Sequence, residues 1–457
     1  MRPLEILIPI LLSVYLLWRS PRHQIIRYLP ALAFILTLNH FVVEGYRWQM
    51  IPLYALTLLL TIFSFISDWK PLASYLTVGL LFLATLIPIL LPVPQIPTPS
   101  GDYQVGTRTF EFSDSSRKEL FSGKDEARKF MIKVWYPADV NDSDIQAVWM
   151  NNAEIFAPTI ATYLELPSFF LNHLTLVNVP AYQDASLAQS QEKFPVILFS
   201  HGWNGFSAQN TAQALELASR GYVVIGFQHT YGAVVTVFSD GTIAPNNPKA
   251  LPEDAEDPNY EKKANVLVSQ WAEDMAFVLD QLDAQESEVG KFLNQNLDLE
   301  KVGVYGHSTG GGAAIQFCGM DQRCKAVLGM DPFMRPVATE LIQSGVSQPS
   351  FFMFSQAWSD LEDSINNQLF NSFYPNGLEG YGVITITGTR HYDFSDLPLL
   401  SPIAPQLGLK GPLNGKRVTE IVNSYLIDFF DLTLKGKPSD IFTNEFSTFG
   451  EVIERNK

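Results

Sequence analysis

Lys301 to Ala314 reads KVGVYGHSTGGGAA, a short β-branched apolar run that stops at Gly306-His307-Ser308-Thr309-Gly310 and continues into Gly311, Gly312, Ala313 and Ala314. The first half has the composition of a strand, and the small residues of the last suit a crowded helix start. Between them the pentapeptide fits G-x-S-x-G, in which glycines flank a serine on a strained strand-to-helix turn that leaves no room for neighbouring side chains. Such a turn lifts a hydroxyl above the carboxyl end of a strand, where open α/β sheets gather their reactive groups. Ser308 is therefore the candidate nucleophile.

Working outward, similar apolar runs recur at 128–137, 194–202, 221–229, 324–331, 349–355 and 382–388. Several are apolar at consecutive rather than alternate positions, as in strands buried on both faces of a parallel sheet. Stretches 210–220 and 266–284 place apolar residues three and four apart, and 415–436 reads as a closing helix stopped at Gly436. Strand and helix alternating in this way predict an α/β fold with a mostly parallel central sheet flanked by helices.

The first hundred residues differ. Four apolar stretches, Pro3–Trp18, Tyr28–Val43, Ile51–Ser67 and Leu72–Pro92, precede a linker carrying Pro92, Pro94, Pro97 and Pro99. A spanning helix needs about 20 apolar residues. The fourth stretch meets this and the first two have 16, so the expectation is an all-α transmembrane segment of about four helices over 1–97, followed by a catalytic domain over 98–457. Glu5 sits where a signal peptide carries basic residues, so the first stretch reads as an anchor. Arg19, Arg22, Arg27 and Lys70 lie in loops one and three, against Arg2 and Arg47 on the other side, which predicts a multi-pass cell-membrane protein with its large domain outside the cytoplasm.

Residues 1–95 carry six Lys/Arg and three Asp/Glu, the remainder 25 and 44. So acidic a domain repels phosphate backbones, which excludes nucleic acid as a partner. The two cysteines, Cys318 and Cys324, read equally as a disulfide or as two buried thiols, and two sulfurs do not make a zinc site. No metal or cofactor is expected.

A serine hydroxyl needs a base. His23 and His40 fall in the apolar segment and His173 in an apolar insertion; His201 and His307 sit in glycine motifs and read as loop supports; His229 ends a strand and is a candidate to face substrate. His391, in GTRHYDFSD, follows the last strand and precedes the closing helix, the position of the base in this architecture. For the acid, Asp331 and Asp360 each follow a strand and divide the choice evenly, with Glu362 third. An oxyanion needs two backbone donors, for which the amides of Thr309 and of Trp203 in SHGWNGFS are the candidates.

GDYQVGT, MIKVWYP, FPVILFSHGWNGF, LASRGYVVIGFQH, GHSTGGGAAIQ, VLGMD and GTRHYDFSD, in this order, resemble the platelet-activating-factor acetylhydrolase family over residues 99 to 435. The resemblance implies an α/β-hydrolase fold and a serine-dependent lipid esterase. It also implies that the acid follows the strand after the elbow, which favours Asp331, 23 residues beyond Ser308. QHTYGA (228–233) lacks charged residues common there in the family, and Thr309 replaces a bulky aromatic, so a different acyl or alcohol pocket is expected. The expected substrate is a lipid or small-molecule ester. Alternatives are a tethered carboxylesterase or polyester hydrolase of non-phospholipid esters, or a membrane sensor that only binds ligand. The insertion at 155–177 reads as a lid or lipid-facing helix pair, or as ordinary core helices.

Overall fold

A computed structural model of the chain describes residues 1–18, 24–66, 71–252, 254–284, 287–293, 296–442 and 449–455. They form two compact units: residues 1–95, 153–177 and 400–404, and residues 96–152, 178–399 and 405–457.

In the first unit the apolar stretches form helices α1 (Pro3–Leu17), α2 (Leu29–Val43), α3 (Ile51–Ile66) and α4 (Pro71–Leu90). Ile8, Leu12, Met50, Leu53, Leu60 and Leu81 meet in their core, while Ile10, Ile35, Leu59 and Phe82 point outward. Helices apolar on every side belong in lipid or in a protein core. Two stretches, Ile25–Val43 and Trp48–Ile66, each 19 residues, are long and apolar enough to cross a membrane; Pro3–Leu17 and Tyr75–Leu90 are shorter. The four-span expectation thus reduces to two by this test. The second stretch gains its length from a 3₁₀ turn, Gln24–Tyr28, that runs into α2. Arg19, Arg22 and Lys70, on which part of the sidedness expectation rests, lie outside the described residues, as does His23.

Charges inside this unit are paired. Glu5 accepts hydrogen bonds from Arg47 Nε and Nη2, both at 2.7 Å, and from Arg2 Nη2 at 2.8 Å, and Arg47 also donates to the carbonyls of Leu91 and Pro88. A buried ion pair is tolerated only with its hydrogen bonds satisfied in this way. The insertion forms α5 (Ala153–Tyr163) and a turn at Asn172–Leu176, and it groups with the apolar helices. Trp48 donates to the Phe170 carbonyl at 3.1 Å, and Gln49 Nε2 meets His173 Nδ1 at 2.8 Å.

The second unit is built on a twelve-stranded sheet. Eight strands make its body: β1 (Gln104–Lys118), β2 (Ala127–Asp139), β3 (Phe194–Ser200), β4 (Val223–Gln228), β5 (Leu297–His307), β6 (Cys324–Met330), β7 (Ser350–Ser355) and β8 (Gly380–Ile386). Their spatial order is 1-2-4-3-5-6-7-8. β2 runs antiparallel to both neighbours, and every pair from β4 to β8 is parallel. β3 and β4 are buried at every position, which explains their unbroken apolar runs.

Helices α6 (Thr211–Ser219), α7 (Tyr260–Asp283), α8 (Thr309–Met320) and α9 (Gly415–Lys435) cover the sheet, α7 packing on α8 and α6 on α9. Adjacent residues of β7 separate the two faces, because side chains alternate along a strand. Phe352 lies in the core with Trp271 and Met275 of α7, and Phe351 stacks on Tyr425 and packs at a tilt against Phe429 of α9. A disulfide joins Cys318 near the end of α8 to Cys324 at the start of β6. In register, Gly306 of β5 lies level with Ser200 of β3 and Gly329 of β6, so three central strands end together.

Candidate active site

At that shared end the chain turns from β5 into α8 through Ser308, whose φ of 57° and ψ of −124° are strained for any residue with a side chain. Such a conformation costs about 1–3 kcal/mol and persists only where its surroundings over-determine it. Here the Ser308 amide donates to Met330 O at 3.0 Å, and its carbonyl accepts from Gly311, Gly312 and Phe333. The flanking glycines follow from contact distance. A Cβ on Gly306 would stand 2.1 Å from Gly310 O, and one on Gly310 the same distance from Ser200 O. Backbone meets backbone there, and nothing can yield.

Asp331 ends β6 and is fully buried. Its Oδ1 accepts the Ser355 amide at 2.8 Å, and its Oδ2 accepts the Ser355 hydroxyl at 2.6 Å and faces His391 Nδ1 at 3.0 Å. Burial pushes the Asp331 carboxyl above its ordinary value, against the lowering effect of the two Ser355 bonds, and burial pushes the His391 imidazole down. Both shifts disfavour isolated charge, so the two groups titrate as a unit. Of the competing acids, Asp360 is exposed, and Glu362 is exposed and lines a separate cavity with Arg455 and Glu454.

His391 lies against the elbow. His307 Nε2 donates to the His391 carbonyl at 2.9 Å and the two rings stand 4.4 Å apart, while Gln209 Nε2 occupies His307 Nδ1 at 3.1 Å. Burial lowers the His307 pKa to about 3, so this histidine is a neutral support. The indole of Trp358 stacks flat on His391, centroids 4.3 Å apart and planes within 6°.

The loop after β3 borders the serine: a Cβ on Gly202 would come within 3.2 Å of Ser308 Cβ. Trp203 follows directly. Among the described residues, neither the Trp203 amide nor the Thr309 amide donates a hydrogen bond, which leaves both donors free.

Among the sequence candidates, Asp331 and His391 thus come together, with Ser308, Thr309 and Trp203 grouped around the elbow. His229 is a correction. It is fully buried between Ser200 and Asp274 and cannot face substrate. Ser355 and Trp358 escaped the sequence reading. Both lie in SQAWSD, where the nearby Asp360 drew attention, and a serine ending a strand carries no sign of the carboxylate it will meet.

The family described as Platelet-activating factor acetylhydrolase, isoform II, matches residues 91–444. Curated relatives include a platelet-activating factor acetylhydrolase of Cavia porcellus, 29% identical over 360 residues, covering 73% of this chain and 77% of that protein. The protein of the same name in Canis lupus familiaris is 26% identical over 410 residues, 79% and 87% of the two chains. A probable 1-alkyl-2-acetylglycerophosphocholine esterase of Arthroderma benhamiae is 21% identical over 387 residues, 78% and 93%. Among solved structures, a ferulic acid esterase from Streptomyces cinnamoneus superposes with a TM-score of 0.66 at 23% identity, over 80% of this chain and 100% of its own, a likeness of fold. Since the family match takes in all eight strands of the sheet body, the strained serine and the histidine–aspartate pair, the chain belongs to the platelet-activating factor acetylhydrolase isoform II family and is a carboxylic ester hydrolase.

Proposed function

We propose that the chain is a membrane-anchored lipid esterase that cleaves a carboxylic ester by acyl transfer through Ser308. The observation that carries this reading is the His391–Asp331 pair at 3.0 Å beside a serine held at φ 57°. His391 keeps its proton on Nδ1, toward Asp331, which leaves Nε2 to take the Ser308 proton. Ser308 Oγ then adds to the ester carbonyl, and the oxyanion accepts hydrogen bonds from the Trp203 and Thr309 amides. Collapse of the adduct breaks the bond to the alcohol oxygen, which receives the proton from His391. Water, deprotonated by the same imidazole, repeats the sequence on the acyl-serine and releases the acid. Asp331 stays ionised and holds the imidazolium in orientation.

The relatives' names favour as substrate the acetyl ester of a 1-alkyl-2-acetylglycerophosphocholine or a similar lipid. Apolar helices within residues 1–97, two of them in stretches long enough to cross a membrane, would anchor the hydrolase of residues 98–457 outside the cytoplasm, where such a lipid is met. The Cys318–Cys324 bond favours an oxidising compartment.

Ser308→Ala is the test. It removes the nucleophile without crowding the elbow, and turnover of an acetyl lipid should fall by about 10⁶-fold, with labelling by a fluorophosphonate abolished. Labelling of the variant, or activity near wild type, would overturn the assignment.

A further inference from the structure

A second Ser-His-Asp arrangement lies in the same unit. Ser200, the last residue of β3, holds Oγ 3.0 Å from His229 Nε2, and His229 Nδ1 stands 3.0 Å from Asp274 Oδ2 on α7. All three residues are fully buried, so no substrate reaches Ser200. The arrangement is nonetheless built with care. Arg128 donates to both Asp274 oxygens, at 2.7 and 3.1 Å, Arg117 adds a third bond at 3.1 Å, and Trp271 stacks on the His229 ring at 4.3 Å with planes 4° apart.

The proton positions follow from the partners. Burial opposes ionisation of Asp274, yet Arg128 and His229 hold its carboxyl well below the usual carboxylate range, so it accepts the His229 Nδ1 proton. Burial keeps His229 itself neutral, with its pKa lowered to about 4. Its Nε2 is therefore bare and accepts the Ser200 hydroxyl.

One step further, the backbone amide of His229 donates to His201 Nε2 at 3.3 Å, which leaves the His201 proton on Nδ1, 2.7 Å from the Gly202 carbonyl. Gly205 donates to the same carbonyl at 2.8 Å. In a trans peptide the carbonyl and the following N–H point in opposite directions, so pinning Gly202 O fixes the direction of the Trp203 amide.

We propose that the buried Ser200–His229–Asp274 relay, acting through His201, is a positioning device for the oxyanion hole: it locks the Gly202–Trp203 peptide so that the Trp203 amide is aimed before substrate arrives. The proposal rests on the oxyanion role assigned to Trp203 above. These are positioning residues, since none touches substrate. Their value is that an amide held in place needs no reorganisation as charge develops, whereas a loop free to rotate its peptide loses that donor for part of the time.

The test uses the full chain in its membrane or in detergent, with Ser200→Ala, His229→Gln, His201→Gln and His201→Asn measured beside Val289→Ala, a buried core position outside the relay. Losing one oxyanion donor outright costs about 10²–10³ in kcat, so loosening it in Ser200→Ala, His229→Gln and His201→Gln should cost about 10–100-fold. KM should stay within about twofold, because ground-state binding does not use this amide. Affinity for a trifluoromethyl ketone, which forms a tetrahedral adduct on the nucleophile, should fall by the same factor as kcat. His201→Asn, whose amide nitrogen can take the place of Nδ1, should recover most of the activity that His201→Gln loses. A purely structural role predicts otherwise: lowered Tm as in Val289→Ala, unchanged kcat per folded molecule and unchanged ketone affinity, and that result would overturn the proposal. Should Ser200→Ala not fold, the His201 pair decides alone, and equal kcat in the two variants would refute the relay. The two layers separate cleanly. An active Ser308→Ala removes the nucleophile reading and the relay with it, while an inert Ser308→Ala beside a fully active Ser200→Ala removes the relay only.

Discussion

Removing one hydroxyl, in Ser355→Ala, should move the pH at which the enzyme loses activity in acid. Asp331 is fully buried and has three donors in reach: the Ser355 amide, the Ser355 hydroxyl at 2.6 Å and His391 Nδ1 at 3.0 Å. Alanine keeps the amide and deletes only the hydroxyl. A hydrogen bond to a charged group contributes about 1.5–3 kcal/mol, and 1.36 kcal/mol corresponds to one pKa unit. The lost bond had favoured the carboxylate, so its absence raises the affinity of the Asp331–His391 pair for its first proton. Catalysis requires that proton to be absent. The acid limb of kcat/KM should therefore shift upward by about one to two pH units, with the alkaline side of the profile unmoved. The assay is the pH dependence of kcat/KM on a p-nitrophenyl acetate, in wild type and variant, with folding checked by Tm at each pH. An acid limb that stays in place would show that Ser355 does not hold the ionised acid, or that Asp331 does not set this limb. A limb that moves down would reverse the sign of the argument.

Gly306→Ala should abolish folding of the hydrolase unit, losing about 4 kcal/mol or more in denaturant titration, because its Cβ would meet Gly310 O at 2.1 Å; a stable, active variant would contradict the elbow geometry. Replacing Cys318 and Cys324 together by alanine should lower stability by about 2 kcal/mol, the loop-closure contribution of so short a ring, read as a shift of the urea midpoint. Asp331→Asn should reduce kcat by about 10⁴-fold through a misplaced histidine proton, while the exposed Asp360→Asn should stay within about twofold; the opposite pattern would reassign the acid. In intact cells, an external protease should release the hydrolase near Pro97, and protection until lysis would place it on the cytoplasmic side.

What the sequence made legible here is what a few neighbouring residues decide. The elbow is written in fourteen consecutive positions, and Gly306 is demanded by a contact four residues away, with Gly310, although Gly310 is itself demanded by the Ser200 carbonyl of a distant strand. The unbroken apolar runs at 194–200 and 223–228 announced strands buried on both faces for the same reason. The acid was open on architecture, because Asp331 and Asp360 both follow strands, and what separates them is the return of Ser355, 24 positions later, to the Asp331 carboxylate. The family resemblance favoured Asp331; local pattern did not.

Reach along the chain also explains the readings that changed. His229 stands at a strand's carboxyl end, the place where substrate-facing residues gather, yet Asp274, 45 residues later, returns on α7 to claim its ring, and Arg128, about a hundred residues earlier, neutralises that carboxylate. A strand end therefore marks a position at the rim of the site, and the partner arriving from elsewhere decides whether the side chain faces cavity or core. The insertion at 155–177 follows the same logic: its grouping with the apolar helices is fixed by Trp48 and Gln49, more than a hundred residues upstream. Buried polar groups must be paired, and for His229 as for His173 the polar partner, more than any local motif, decides where the imidazole lies. On that view the Ser200–His229–Asp274 set and the proposed Ser308–His391–Asp331 set differ in how the acid is partnered, Asp274 by two arginines and Asp331 by Ser355, and in where the serine stands. In one the serine sits on a strained turn that lifts its hydroxyl out of the backbone, and in the other it ends a straight strand, where the same three side chains hold a loop in place.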